Sequence, residues 1–262
     1  MVNSEECAIL VLSCDKNESL LNIFFDFFHK NWPDCPFDCF LGIEKKNLKF
    51  DKVLTLNSSI SSFSGRLMNY CKLINRKYIM IVLDDFILED VVDNCIIEKY
   101  YKIMRKDDLI SNLTLAWIAG VVDREYAPDI IKQKWYGNYL VNMQVGFWRT
   151  DELIKLLRDT ENAWQAELYG SIRARKNKDR KFLYLKDDDM MPYKYNRGWL
   201  VVKGSWNANE IKRLKLEKYV KDFLDGKKIL YDNFGRISKI QSAKIRIGVG
   251  SRKILSHIGF YM

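Results

Sequence analysis

Proline is scarce in this 262-residue chain: there are four, and no low-complexity tract accompanies them. A long disordered linker is therefore not expected, since such segments depend on biased, core-poor composition. Long apolar runs are missing too. The longest are strand-sized, well short of the roughly 20 residues a membrane-spanning helix needs. The first residues, Met1-Val2-Asn3-Ser4-Glu5-Glu6, are acidic and the apolar run after them is brief, which does not read as a secretory signal. No Gly-x-Gly-x-x-Gly follows the first apolar run and no P-loop occurs, so the usual dinucleotide and phosphate-cradle fingerprints are absent. There is no internal repeat. Cys35 and Cys39 form a Cys-x3-Cys pair, but no second pair or histidine cluster follows at zinc spacing. The six cysteines, all within the first 95 residues, are expected to be reduced thiols of a cytosolic protein.

What is present reads as a globular α/β chain. Hydrophobic residues make up 48% and charged residues 29%, an ordinary balance, and the length suits one α/β domain or one domain with an extension. The net charge of +9 is unevenly spread. Residues 1–150 hold 18 Lys and Arg against 20 Asp and Glu, whereas 151–262 hold 25 against 14. A basic C-terminal half suits either a solvated basic face or an anionic partner: diphosphate groups, an anionic membrane surface or nucleic acid.

Buried-type strands alternate with helices. Residues 8–13, 37–43, 52–56 and 78–83 read as strands, 113–118 and 140–148 contain others, and 182–185 is a short one. The spacing of Leu20, Leu21, Ile23, Phe24, Phe27 and Phe28 gives a helix over 19–31 with one broad apolar face. Further helices are expected over 65–75, 91–106, 152–158 (with Asp151 as its N-cap), from Asn162, and over 207–225. This alternation predicts a mainly parallel central sheet with helices on both faces.

The stretch that carries chemistry is Tyr78-Ile79-Met80-Ile81-Val82-Leu83-Asp84-Asp85-Phe86. An apolar strand ends in two adjacent carboxylates, and burying unpaired charge in a core strand costs several kcal/mol or more. The strand is therefore expected to stop there, either with its mouth holding a cation or by leaving into a solvated Asp-Asp turn. The carboxyl ends of strands are where open α/β sheets bind ligands.

Six blocks taken in order resemble the bacterial GT-A glycosyltransferases of capsule and lipopolysaccharide biosynthesis. They are Leu12-Ser13-Cys14-Asp15-Lys16, Asn31-Trp32-Pro33-Asp34-Cys35-Pro36, Phe63-Ser64-Gly65-Arg66-Leu67, Leu83-Asp84-Asp85-Phe86, Glu161-Asn162-Ala163-Trp164-Gln165-Ala166-Glu167 and Val201-Val202-Lys203-Gly204-Ser205-Trp206. The resemblance covers about residues 8–206. It implies a nucleotide-diphospho-sugar transferase-like catalytic domain over 1–206 and a basic C-terminal extension over 207–262. It also implies a nucleotide-sugar donor, a glycan or lipid-linked glycan acceptor, inverting transfer, and Mn2+ or Mg2+ as the cofactor. Asp-x-Asp is the usual metal motif of such enzymes, and Leu83-Asp84-Asp85 is a departure from it.

Under that resemblance Asp84 and Asp85 are the metal ligands, with Asp85 neutralising the leaving diphosphate. Arg66 and Lys203 are candidates to share that charge, and Asp15 to contact the nucleotide base. Glu167 is the candidate general base, with Asp187, Asp188 and Asp189 as its rivals. Trp148 and Trp164 are either sugar-stacking or core residues, and His257, a single histidine in a basic tail, is no more than a candidate metal ligand. The tail interleaves Arg236, Lys239, Lys244, Arg246, Arg252 and Lys253 with Ile240, Ile245, Ile247, Ile254, Leu255, Ile258 and Phe260, which suits contact with the inner face of the cell membrane as well as packing on the core. The competing readings are a metal-dependent nucleotidyltransferase and a non-enzymatic nucleic-acid-binding protein. No nucleic-acid module is recognisable, so nucleic acid is not an expected partner.

Overall fold

The computed structural model describes residues 5–195, 200–202, 204–217, 219, 229 and 230. They fall into two compact units, which divide between Trp199 and Leu200.

The first unit is built on a nine-stranded sheet: β1 (Cys7–Leu12), β2 (Asp38–Ile43), β3 (Val53–Asn57), β4 (Tyr78–Leu83), β5 (Ile110–Thr114), β6 (Val122–Ala127), β7 (Ile130–Gln133), β8 (Gly146–Arg149) and β9 (Lys181–Leu185). Their spatial order is β3-β2-β1-β4-β8-β5-β9-β7-β6. β3, β2, β1 and β4 run parallel, as do β5 and β9. β8 is inserted antiparallel between β4 and β5, and β7 and β6 close the far edge antiparallel. The expected mainly parallel sheet is thus a mixed one. The reason lies in two short elements. β8 has four residues, too few for its direction to be read from an apolar run. The β6–β7 hairpin is an exposed edge whose Asp123, Arg124 and Glu125 hide any period-2 alternation.

Helices cover both faces, as the alternation predicts. α1 (Glu18–Asn31) follows β1, α2 (Phe63–Ile74) precedes β4 and α3 (Asn94–Lys106) precedes β5. α4 (Thr150–Leu156) and α5 (Ala163–Ala174) lie between β8 and β9. On one face Leu67, Tyr70, Cys71 and Ile74 of α2 join Leu153, Leu156, Ala166 and Ala174 over Ala8, Leu10, Ile79 and Ile81. On the other, Tyr101 of α3 meets Tyr78 edge-on at 5.5 Å and Phe147 at 5.5 Å. Alternate residues of β4 thus serve opposite faces, as a doubly covered strand requires.

Local chemistry sets the ends of these helices. Asn162 and Gln165 form a reciprocal capping box at the start of α5, which satisfies two otherwise orphaned N–H groups. Asp93 caps α3, so that helix starts three residues later than its apolar spacing suggests. Asp151 is not the cap of α4. Arg149 holds that position, and Asp151 sits in the first turn, where a carboxylate complements the helix dipole. β8 can lie against β5 because its first residue is glycine: a Cβ on Gly146 would stand 2.8 Å from the Leu113 carbonyl oxygen.

The second unit holds β10 (Val201–Val202), β11 (Ser205–Asn207), β12 (Ile229–Leu230) and α6 (Ala208–Arg213). Its three strands are ordered β10-β11-β12, antiparallel then parallel. The β10–β11 turn contains Gly204 at φ +76°, a left-handed position that glycine adopts without steric cost. Asn207 caps α6, which ends at Arg213 rather than running on to 225 as an unbroken helix. Among the described residues no helix is long and apolar enough to cross a membrane.

Candidate active site

The carboxyl ends of β1, β2 and β4 lie at one edge of the sheet because the three strands are parallel. The C-terminal ends of β5 and β9 and the start of β8 meet at the same edge. Polar side chains gather where the apolar strands stop.

Asp84 is 8% exposed. It accepts hydrogen bonds from Ser13 Oγ at 2.5 Å and from Asn17 Nδ2 at 2.9 Å, and its own N–H donates to the Leu12 carbonyl at 3.2 Å. The end of β1 thereby fixes the first carboxylate of the pair. Asp85 is half-buried and, among the described residues, has no ion-pair partner. Burial, and then the charge of Asp84, push its carboxyl well above the usual carboxylate range. A buried carboxylate in this state is short of positive charge.

Three further groups stand beside the pair. The Asp15 carboxylate accepts from the backbone N–H groups of Lys45 and Lys46 at 3.1–3.2 Å. Burial works against its ionisation, yet these amides hold it below the usual range. Asp15 thus ties the loop after β1 to the loop after β2. Its own N–H donates to Glu44 Oε2 at 2.5 Å. Glu44 also pairs with Arg66 at 3.4 Å, and the Arg66 guanidinium donates to the carbonyls of Ile60 and Ser61. Arg66 is therefore at the expected edge, in the first turn of α2, with its charge shared with Glu44.

Glu167, on α5, accepts the Met143 N–H at 2.8 Å. Burial raises its carboxyl, against the lowering effect of that hydrogen bond. It lines a cleft of about 460 Å3 with Gln144, Asn142, Asp188, Trp117 and Tyr139. Gln144 connects this cleft to the aspartate pair. The Tyr195 hydroxyl donates to Gln144 Oε1 at 2.8 Å, and the Tyr195 ring packs 4.5 Å from Phe86, the residue that follows Asp85. Of the acidic triplet after β9, Asp188 enters the cleft and accepts the Trp117 N–H at 2.8 Å, while Asp187 caps its own turn through the Asp189 N–H.

The structure therefore brings Asp15, Arg66, Asp84, Asp85 and Glu167 to one sheet edge. Lys203 and His257 lie outside the described residues, as does the basic tail from Arg236 to Phe260. Trp148 is wholly buried core, whereas Trp164 is 83% exposed near the start of α5, so a core role is excluded for Trp164. Sequence reading did not single out Ser13, Asn17, Glu44, Gln144 or Tyr195. Ser13 is the last residue of one predicted strand and Glu44 directly follows another, and that was the available signal; for Gln144 and Tyr195 only the tertiary contact shows the role.

Among the described residues no group of three or more His, Cys, Asp or Glu is arranged to hold a metal ion. A cage made by the protein alone is therefore not present there. One or two carboxylates, with substrate phosphates completing the shell, is the usual arrangement for Mg2+ and similar hard cations at phosphate-handling sites. Asp85, half-buried beside Asp84 and without an ion pair among the described residues, fits that donor set.

No protein-family model matches the chain, and neither does any curated protein. Solved structures do. A fragment of Staphylococcus aureus TarS, residues 1–349, aligns over 69% of this chain and 60% of its own length at 10% identity and a TM-score of 0.42. A Leptospira borgpetersenii cytidylyltransferase aligns over 93% and 96% at 13% identity and 0.46. A CMP:2-keto-3-deoxy-manno-octonic acid synthetase complexed with CTP aligns over 69% and 88% at 12% identity and 0.44. The chain spans only 60% of the TarS fragment. With every one of these TM-scores below 0.5, function has to be read from the chemistry of the site itself.

Proposed function

We propose that this protein is a metal-dependent glycosyltransferase that moves a sugar from a nucleoside-diphosphate donor to the hydroxyl of a growing surface glycan. One observation carries the reading: at the mouth of β4 a half-buried carboxylate, Asp85, lacks a cationic partner among the described residues, and its carboxyl is held well above the usual range by burial and by Asp84. Such a site gains most from a bound divalent cation.

Asp85 would hold Mn2+ or Mg2+, with Asp84, fixed by Ser13 and Asn17, as the neighbouring carboxylate. When bound, the cation supplies Lewis-acid stabilisation of the departing diphosphate. The loops after β1 and β2 form the nucleotide side, where Asp15 and Glu44 fix loop geometry and Arg66 contributes positive charge. The Glu167 cleft forms the acceptor side. There the acceptor oxygen attacks the anomeric carbon, the bond from that carbon to the diphosphate oxygen breaks, and the acceptor proton passes to Glu167. A general base works best when its pKa approaches the working pH, and burial moves Glu167 in that direction. Attack from the face opposite the leaving group inverts the anomeric centre.

A nucleotidyltransferase also needs a carboxylate-bound metal. The Ser13–Asn17 turn after β1 contains no glycine, which disfavours a phosphate-wrapping loop at that strand. The decisive assay offers the protein a panel of nucleotide sugars with Mn2+ and, separately, nucleoside triphosphates with sugar phosphates. The expected result is release of nucleoside diphosphate from one nucleotide sugar, lost in Asp85→Asn and lowered at least about a hundredfold in Glu167→Gln, with both variants folded. Pyrophosphate release from a triphosphate, with nucleotide sugars inert, would replace this reading with the nucleotidyl one.

A further inference from the structure

A second cleft, of about 270 Å3, opens beside β7 and the start of β9. Four cations line it, Lys132, Lys134, Lys178 and Arg180, against a single carboxylate, Asp123. Two of the cations are already committed. Lys132 pairs with Asp123 at 3.3 Å, and Arg180 pairs with Glu152 while donating to the Asp108 carbonyl. Lys134 and Lys178 have no carboxylate partner among the described residues.

Both free ammonium groups stand over aromatic rings. Lys178 Nζ is 4.5 Å from the Trp135 ring centroid, and Lys134 Nζ is 5.7 Å from that of Tyr136. Trp135 and Tyr136 are 42% and 44% exposed and meet edge to face at 5.4 Å. An exposed cation–π contact is worth only about 0.5–1 kcal/mol, so an arriving anion can take over either ammonium group at little cost. The exposed ring faces suit the C–H face of a sugar. A cleft that offers ammonium groups without a carboxylate partner beside partly exposed aromatic rings matches a ligand in which rings and negative charges alternate.

The two clefts share one short segment. Trp135 and Tyr136 line the second, and Tyr139, three residues on, lines the cleft of Glu167. Three residues reach no further than about 11 Å even when fully extended, and here the chain turns, with the Gly137 N–H donating to the Lys134 carbonyl at 2.8 Å. The turn is braced by Arg175, which donates to the Gly137 carbonyl and to Asn138 Oδ1. The turn thus links a wall of the Glu167 cleft, which holds Asp188 after the end of β9, to the cleft beside the start of β9, the direction in which a chain-like ligand would extend.

We infer that the Lys134–Lys178–Trp135 cleft binds a distal part of the acceptor, and that the acceptor is an anionic glycan whose units carry phosphate or carboxylate groups. The inference rests on the glycosyl-transfer reading for the identity of the acceptor. Two free ammonium groups in a small cleft are too few for tight binding of a nucleic acid, whose affinity grows with the number of neutralised phosphates. A glycan needs only one or two such contacts beside its stacked rings.

The test measures binding of short fluorescent oligosaccharides to the full chain: polygalacturonate for carboxylate, phosphomannan for phosphate, dextran as the neutral control, and single-stranded DNA of similar charge. The expected result is that polygalacturonate or phosphomannan binds at least about tenfold more tightly than dextran and loses at least about tenfold in Lys134→Gln/Lys178→Gln. Whichever of the two binds better names the charged group. Trp135→Ala weakens the same ligand, and because Lys178 is exposed, Lys134 partly exposed, and neither has a carboxylate partner among the described residues, the double variant reports even if the tryptophan variant misfolds. Anionic binding unchanged in the lysine variant, no preference over dextran, or tighter binding of DNA than of either glycan overturns the inference. Nucleotide stabilisation with Mn2+, run on the same samples, keeps the two readings apart. Its retention while the lysine variant binds normally sinks the acceptor cleft alone, and its absence while the anionic glycan binds as expected sinks the donor site alone.

Discussion

The Tyr195 hydroxyl donates to Gln144 Oε1 at 2.8 Å, and this contact joins the residue packed on Phe86 to the wall of the Glu167 cleft. The aspartate pair and the candidate base come from elements about eighty residues apart, and the Gln144–Tyr195 bond is one physical tie between their two sides of the site. Tyr195→Phe keeps the ring and removes the donor. Net loss of such a hydrogen bond costs about 1 kcal/mol. Steady-state kinetics of this variant should show a lowered kcat with the donor KM little changed, because the defect lies between the two sides. A raised donor KM with kcat intact would place Tyr195 in nucleotide binding instead.

Ser13 and Asn17 hold Asp84 from the end of β1. In Ser13→Ala the shortest of these hydrogen bonds is lost to a carboxylate that is only 8% exposed. Hydrogen bonds to charged groups are worth about 1.5–3 kcal/mol, so urea denaturation should find the variant less stable by an amount in that range. Its Mn2+-dependent nucleotide stabilisation should shrink at the same time. A variant that loses stability while keeping the full nucleotide response would confine Asp84 to a structural role.

Asp85 gives a stability prediction of unusual sign. Its carboxyl is held above the unfolded value of about 3.9, so between that pH and its raised folded pKa the native state binds the proton more tightly than the unfolded state does. Stability then falls as pH rises through that window. Asp85→Asn removes the effect. In metal-free buffer its melting temperature should approach that of the parent near pH 4 and exceed it by a growing margin toward pH 8. A margin that stays constant with pH would mean the carboxylate is neutralised in some other way.

Glu161 and Arg173 form a two-armed ion pair at 2.7 Å, with Glu161 Oε2 also accepting the Arg158 N–H. Breaking a buried pair by removing one partner costs about 3–5 kcal/mol. Glu161→Gln should therefore be strongly destabilised in calorimetry, yet retain nucleotide binding in whatever fraction stays folded. It serves as a structural counterpart to Glu167→Gln, for which loss of transfer with an unchanged melting temperature is expected.

Much of the first half of the fold can be read from residues alone, for a physical reason. Cys7–Leu12 and Tyr78–Leu83 are continuous apolar runs because both faces of those strands are covered, and Asp84-Asp85 marks where the cover ends. The second half resists such reading. Val122–Ala127 and Ile130–Gln133 pair at an exposed edge with charged side chains, so no hydrophobic period betrays them. The expected strand over 113–118 stops at Thr114, because Leu115 and Trp117 turn their N–H groups to the Val145 carbonyl and to Asp188. Those bonds, like the tie from Tyr195 to Gln144, exist only in the folded chain. The site divides in the same way: Asp84 and Asp85 stand out by position in the sequence, Glu167 only through the family resemblance, and the groups that orient them do not.

The most direct test of the metal–diphosphate site is a thermal-shift matrix of uridine, guanosine, cytidine and adenosine diphosphates with and without Mn2+, run on the parent protein and on Asp85→Asn. A ligand at a hundred times its Kd stabilises by about 2.7 kcal/mol. One nucleotide should raise the melting temperature of the parent only when Mn2+ is present, and none should do so in the variant. Stabilisation that is independent of Mn2+, or that survives in Asp85→Asn, would contradict the assignment of a cation to the mouth of β4.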